Sequence, residues 1–562
     1  MTPALHGIWP ASAGLNPMLN AARALPGELG VSVLAGEVAN SSETLNTQPV
    51  AENPRTPPAR RLVRFLDDYY FRIHVTPPAL DVGNVVSAQT HPVRIWNAYL
   101  EPRTLNDLAA DNAEGIQLAG PDEPPMEFAP LREHVWEVAV GVDGPPVVDA
   151  SFTWQFTGEP PAVLPITGNR ITAWPWAPNW LASVQERLEW LTDILQSQSG
   201  VEQRRAGRDL PRRFYGFSIL AEGADRALLD LAVFGWGSRL WALPIWQDVQ
   251  WLPGVAAGSP EIVCDTRHRD FQDGGLVLLL GERAADYEVL EIHTLEEDRI
   301  GLRNPVQREW PHSVRLFPVR TARLTDQPAL TRLTNRLVGG EVEFRLETPS
   351  TWPQTHVLPE YRGWPVLEIR PEESRDLSLS YQRLINVLDN GTASPNVRDR
   401  AGIGFPVQGH GWLLEGAEER ANWRSLMYAL RGRQGALWLP TWMDDLEVVA
   451  PVATTTAFID VAHVQYGRFA AGFSGRRDIR LELSDGTVRY RRVLGATELD
   501  ASTERLSLAE PWDVAFDADQ VQRVSWMALM RLESDTVEIE HQTDVEGVAR
   551  SQLVFRGVRD EL

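Results

Sequence analysis

Adjacent carboxylates stand at Asp67-Asp68, Glu296-Glu297-Asp298 and Asp444-Asp445, and two carboxyl groups flanking a sugar are what glycoside hydrolysis requires. Neighbouring residues of one strand point to opposite faces, so no such pair can by itself straddle a substrate. In a chain with 76 acidic residues these pairs are expected on solvated surface. The 11 histidines are dispersed, with no HExxH and no close His-x-His pair, so no metal site is read. Gly472-Phe473-Ser474-Gly475 lacks the Gly-x-Ser-x-Gly spacing and the strand-to-helix turn of a nucleophile elbow, and reads as a loop. All 53 basic residues are arginine. Without lysine there is no phosphate-cradling GxxxxGKS/T loop, no Schiff-base amine and no kinase-type lysine. The single Cys264 allows neither an internal disulfide nor a thiolate zinc cluster and fits a reducing compartment. No catalytic, cofactor-binding or metal-binding residue is assigned, and no enzymatic activity is expected.

Two groups of side chains suit contact rather than catalysis. The 21 Trp outnumber both Tyr and Phe, and the most distinctive local motif is Leu-Pro-x-Trp, at Leu243-Pro244-Ile245-Trp246 and Leu439-Pro440-Thr441-Trp442. An indole after a fixed proline kink buries large apolar area at low entropic cost, so Trp174, Trp241, Trp246, Trp364, Trp438 and Trp442 read as core or interface anchors. The pairs Trp241/Trp246 and Trp438/Trp442 also admit stacking on sugar rings. The second group, Arg204, Arg205, Arg208, Arg212 and Arg213, reads either as a partner-contact cluster or as a hairpin with cross-strand Arg-carboxylate pairs.

The elements that must position these residues are mostly strands. A length of 562 residues calls for three or four domains, and 43% hydrophobic with 23% charged residues is ordinary for folded protein. Residues 1–60, rich in Ala, Pro, Asn and Ser, read as an extended or disordered arm. Residues 61–165 read as an immunoglobulin-like β-sandwich: from Asp149 to Phe156, Ala150, Phe152, Trp154 and Phe156 alternate with polar residues at a period of two. Residues 166–350 and 351–562 read as two copies of one β-rich module. Ala173-Trp174-Pro175 matches Gly363-Trp364-Pro365, the Leu-Pro-x-Trp segments match, Asp298 to Leu302 matches Glu504 to Leu508, Arg323-Leu324 matches Arg531-Leu532, and Phe344-Arg345 matches Phe555-Arg556. The separation only grows along the chain, as small loop insertions in the second copy would make it. Each copy is expected to carry one covering helix, with Trp423, Leu426, Met427 and Leu430 on the inner face of the second and Leu228, Leu231 and Ala232 on that of the first.

No apolar run is long enough to span a bilayer, and Met1 to Pro10 has no cationic n-region, so neither membrane insertion nor signal-peptide export is expected. The net charge of −23 opposes non-specific binding to nucleic acid or anionic lipid.

The segment Thr192-Asp193-Ile194-Leu195 with Ser199 to Arg205 and Leu-Pro-x-Trp, together with Val93 to Ala98, Glu114-Gly115-Ile116 and Gly144-Pro145-Pro146, resembles tail-tip proteins (distal tail, baseplate-hub or minor tail proteins) of long-tailed, non-contractile bacteriophages. The resemblance covers roughly residues 61–562. It implies a structural virion component, assembled in the bacterial cytoplasm, that joins the tail tube protein to baseplate hub and tail fibre proteins and forms part of the DNA-exit channel. Such proteins usually carry one tube-like module, whereas two are expected here. A homotrimer with a pseudo-sixfold ring is therefore favoured over a homohexamer, with DNA passing through and not specifically bound. The alternative is a protein that binds or degrades cell-surface polysaccharide, which uses the aromatic residues but leaves the duplication unexplained.

Overall fold

The computed structural model describes residues 69–560 apart from 86–87, 142–143, 146, 312, 350, 375–376, 393 and 544–546. The expected arm and Asp67-Asp68 lie outside the described residues. The chain is mainly β, 49% strand and 8% helical, with three helices among the described residues. It divides into two compact units, Met1–Thr172 and Ala173–Leu562.

The first unit carries β1 (Ile73–Thr76), β2 (Leu80–Val85), β3 (Gln89–Asn97), β4 (Arg103–Asp111), β5 (Ile116–Ala119), β6 (Met126–Phe128), β7 (Glu133–Val140), β8 (Val147–Phe156) and β9 (Ala162–Arg170). Two sheets, ordered β1-β3-β7-β5 and β2-β9-β8-β4-β6, enclose one core. The set β1, β3, β7, β5 against β4, β8, β9 is the four-against-three partition of an immunoglobulin-like sandwich, here extended at the edges by β2 and β6. The period of two along β8 buries Ala150, Phe152, Trp154 and Phe156, and Trp154 meets Trp136 of β7 edge to face at 5.8 Å. Asn97, fully buried at the end of β3, donates from Nδ2 to the carbonyls of Glu101, Phe128 and Ala129, tying three chain segments together. Because β9 runs to Arg170, the sandwich ends at Thr172 and not at residue 165.

The second unit holds two series of strands. The first is β10 (Val184–Glu189), β11 (Thr192–Gln196), β12 (Glu202–Ala206), β13 (Arg212–Glu222), α1 (Gly223–Trp236), β14 (Trp241–Pro244), β15 (Glu261–Val263), β16 (Leu276–Leu280), β17 (Tyr287–Leu295), β18 (Arg299–Leu302), β19 (Val314–Leu324), β20 (Leu330–Arg332) and β21 (Leu337–Leu346). The second is β22 (Ser378–Gln382), β23 (Ile385–Leu388), β24 (Asn396–Asp399), β25 (Phe405–Glu415), α2 (Gly416–Leu430), β26 (Leu437–Pro440), β27 (Phe458–Ala462), α3 (Tyr466–Phe469), β28 (Asp478–Leu483), β29 (Val488–Glu498), β30 (Thr503–Leu508), β31 (Val521–Leu532), β32 (Thr536–His541) and β33 (Val548–Gly557). Further two- and three-residue strand segments flank these.

Each strand of the first series has its counterpart twelve labels later. Ten antiparallel pairings of the first module, β10–β13, β11–β12, β13–β21, β14–β19, β15–β18, β16–β17, β16–β19, β17–β18, β19–β21 and β20–β21, recur in the second. Register repeats as well. Glu186 lies opposite Tyr215 and Leu379 opposite Gln408; Phe214 lies opposite Arg345 and Val407 opposite Arg556; Arg323 lies opposite Arg345 and Arg531 opposite Arg556. Both helices leave their strand at a glycine of positive φ, Gly223 (+61°) and Gly416 (+75°), a corner that L side chains rarely adopt.

Two expectations need correction. The amide of Trp174 donates to the carbonyl of Ala242 and that of Leu367 to Trp438, while Ala242 and Trp438 hold equivalent places in β14 and β26. Trp174 thus corresponds to Leu367, not Trp364; the shared Trp-Pro misplaced that match by three residues. The helices also differ in cover. Trp423, Leu426, Met427 and Leu430 of α2 are all buried, but α1 buries only Leu229, leaving Leu228 and Ala232 half-buried and Leu231 exposed.

Candidate functional site

One ladder joins the two modules: β10 runs antiparallel to β32, with Glu186 opposite Ile539 and Leu188 opposite Val537. At its centre the Glu186 carboxylate is fully buried. Its Oε1 accepts Nε of Arg213 at 2.7 Å and Nε of Arg424 at 3.0 Å; its Oε2 accepts Nη2 of Arg424 at 2.7 Å and Nε2 of His541 at 2.9 Å. Arg213 comes from β13, Arg424 from α2 and His541 from β32, so one carboxylate binds both modules. Arg213 continues to Asp270 and the Tyr215 hydroxyl, and Nε of Arg320 donates to Asp270 at 3.1 Å. Burial alone would raise the Glu186 pKa, but Arg213 and Arg424 hold it well below the ordinary carboxylate range. Burial pushes His541 down against the pull of Glu186, so the imidazole is neutral and donates from Nε2.

A second contact lies beside the ladder, where the β11–β12 hairpin of the first module rests on the second. Asp535 accepts the amide and hydroxyl of Thr192, each at 2.8 Å, and the amide and Nε of Arg433 at 2.9 and 3.1 Å. Buried Arg531 forks onto Glu202 at 2.8 and 3.0 Å. Leu188 and Trp190 join the core built around α2. Asp535 and Glu202 each hold an arginine here, an arrangement that fixes register and resists separation.

The arginine cluster is dispersed. Arg204 donates to the carbonyl of Gly435 at 3.2 Å, Arg208 to that of Glu189 at 3.4 Å, Arg205 and Arg212 are exposed, and Arg213 is the buried partner of Glu186. Four of the five sit on strands β12 and β13, where neighbours face opposite ways, so they form no single patch. Trp174, Trp241, Trp246, Trp438 and Trp442 are buried, and Trp364 is half-buried against the core around Trp438. Trp241 and Trp438 are one position apart in equivalent strands and so face different layers.

Glu296, Glu297 and Asp298 are exposed; Asp445 accepts the amide of Trp526 at 2.9 Å and the Thr441 hydroxyl, closing its own loop. Ser474 bonds Asp560 in a loop after α3. Among the described residues no group of three or more His, Cys, Asp or Glu is placed to hold a metal ion. Sequence reasoning missed Glu186 and its partners Arg424 and His541, which stand 238 and 355 positions from it and carry no local spacing signal.

No protein-family model matches the sequence, and no curated protein matches it either.

Proposed function

We propose that this chain is a structural ring component of the tail tip of a long-tailed, non-contractile bacteriophage, joining tail tube to hub and fibres around the path of exiting DNA. The observation that carries the reading is the duplication: two modules of one pairing scheme, held side by side by a strand-to-strand ladder with a buried ionic centre. Repeated modules that join edge to edge by heterologous contacts build a closed ring where the rotation closes, and an open filament where it does not. The Trp residues considered as sugar platforms are buried, which weighs against the polysaccharide reading.

The test is labelling of virions. Particles released by the cells that make this chain are decorated with antibody against it and viewed by electron microscopy. Label at the distal end of a non-contractile tail is the expected result; virions without label, or label on the capsid, would overturn the reading.

A further inference from the structure

Inside the chain β10 pairs with β32. Their counterparts by register are β22 and β20: Gln185 corresponds to Ser378, Glu186 to Leu379, Ile539 to Leu330 and Glu540 to Thr331. Among the described residues β22 pairs only with β25 and β20 only with β21, so each presents an open edge. An unpaired row of backbone donors and acceptors is a template for another strand.

We propose that β22 of one chain pairs antiparallel with β20 of a second copy, in the register of the internal ladder: Leu379 opposite Leu330, Ser378 opposite Thr331, Ser380 opposite Ala329. Three observations besides the open edges select a second copy as the occupant. The surfaces are apolar where their internal counterparts are covered. Leu188 of β10 is 0% exposed, whereas Tyr381, its counterpart in β22, is 55% exposed. Helix α1, whose counterpart α2 packs beneath Leu188 and Trp190, leaves Leu231 at 68% and Phe234 at 93%. The β23–β24 hairpin repeats the β11–β12 hairpin and exposes Ile385, Val387 and Leu388. Counted back from β20, Asp326 stands where Asp535 stands before β32, exposed and placed to accept the Ile385 amide as Asp535 accepts that of Thr192.

The joint between chains differs from the internal one in chemistry. Leu379 replaces Glu186, Ile385 replaces Thr192 and Pro395 stands where Glu202 does, so the carboxylates at the centre give way to apolar residues, and Arg332, exposed at the end of β20, stands where His541 does. A carboxylate at this place would have to be stripped of water when the copies meet, whereas Leu379 and Leu330 gain by leaving water. Each chain would dock its second module on the first module of the next. The pairing stands by itself; closure at three chains and six modules rests on the tail-tip reading.

The test uses the full chain with Leu379→Cys and Leu330→Cys together, since the native Cys264 is buried. Mild oxidation at about 50 µM, well above a micromolar dissociation constant, is expected to give covalent species of several chains, absent in either single variant. Pairing Leu379→Cys with Thr331→Cys, one residue out of register, is expected to cross-link at least about tenfold less. Leu379→Asp, at a partly exposed position, is expected to fold and to weaken association about a hundredfold by sedimentation. Products that stop at three chains support both pairing and ring; products that close at another number, or never close, keep the pairing and remove the six-module ring. A wild-type monomer at this concentration, or an oligomer without the in-register cross-link, overturns the proposal.

Discussion

Removing the Glu186 carboxylate leaves Arg213 and Arg424 buried with one counter-charge fewer, and losing one partner of a buried ion pair typically costs about 3–5 kcal/mol. Glu186→Ala is expected to lower the unfolding free energy of the second unit, read by denaturant titration, by that amount. Glu186→Gln, which keeps volume and some hydrogen bonds, should lose less. Trp246→Ala and Trp442→Ala, both deep in the core, are each expected to cost about 3–5 kcal/mol in the same measurement; fully stable variants would mean that the indoles carry little packing. Protons act with a definite sign. Burial lowers His410 to about 4 and lowers His541, so both are neutral in the fold while the unfolded chain takes up protons below about pH 6.5. Stability therefore falls as pH drops from 7.5 to 6. Asp478, pushed up to about 6 by burial, takes up its proton in the fold around that pH and so opposes the trend in the lower part of this window without cancelling two histidines. The slope of Tm with pH over this window should flatten in His410→Gln; an unchanged slope would show that the imidazole titrates alike in the folded and unfolded chain.

Strand elements were legible where local pattern decides. The period of two wrote β8 into the sequence, and the later matches between copies fall on equivalent register positions. The first match failed because a shared Trp-Pro outweighed position, and helix α1 was misjudged because amphipathic spacing says that a face is apolar without saying what covers it. The joint itself was illegible, since its members come together only through tertiary pairing. Hairpin β11–β12 shows how such an element is held: its first amide and hydroxyl rest on Asp535, which also bonds Arg433. In Asp535→Ala, amide hydrogen exchange is expected to accelerate across residues 192–206 while the β13–β21 and β25–β33 ladders keep their protection. Uniform loss of protection would show that the hairpin and the module cores form one cooperative element.

Charge and assembly oppose one another across the whole molecule. Each chain carries a formal charge of −23, so three chains carry −69, and like charge of this size resists any contact between copies. The open edges offer Leu379, Tyr381, Leu330 and backbone, with Arg332 at the end of β20 the one charge on either strand, so association draws on apolar burial and strand hydrogen bonds. Salt screens the repulsion, with a Debye length of about 10 Å at 0.1 M and about 3 Å at 1 M, and leaves apolar burial nearly untouched. Self-association is therefore expected to strengthen as sodium chloride rises from about 0.02 to 0.5 M, read as a falling dissociation constant in sedimentation equilibrium. The same field, on a surface passed by duplex DNA, would keep the two polyanions apart at low salt. Complexes that come apart as salt is added would mean that ion pairs hold the copies together, and the edge strands would then not be the joint.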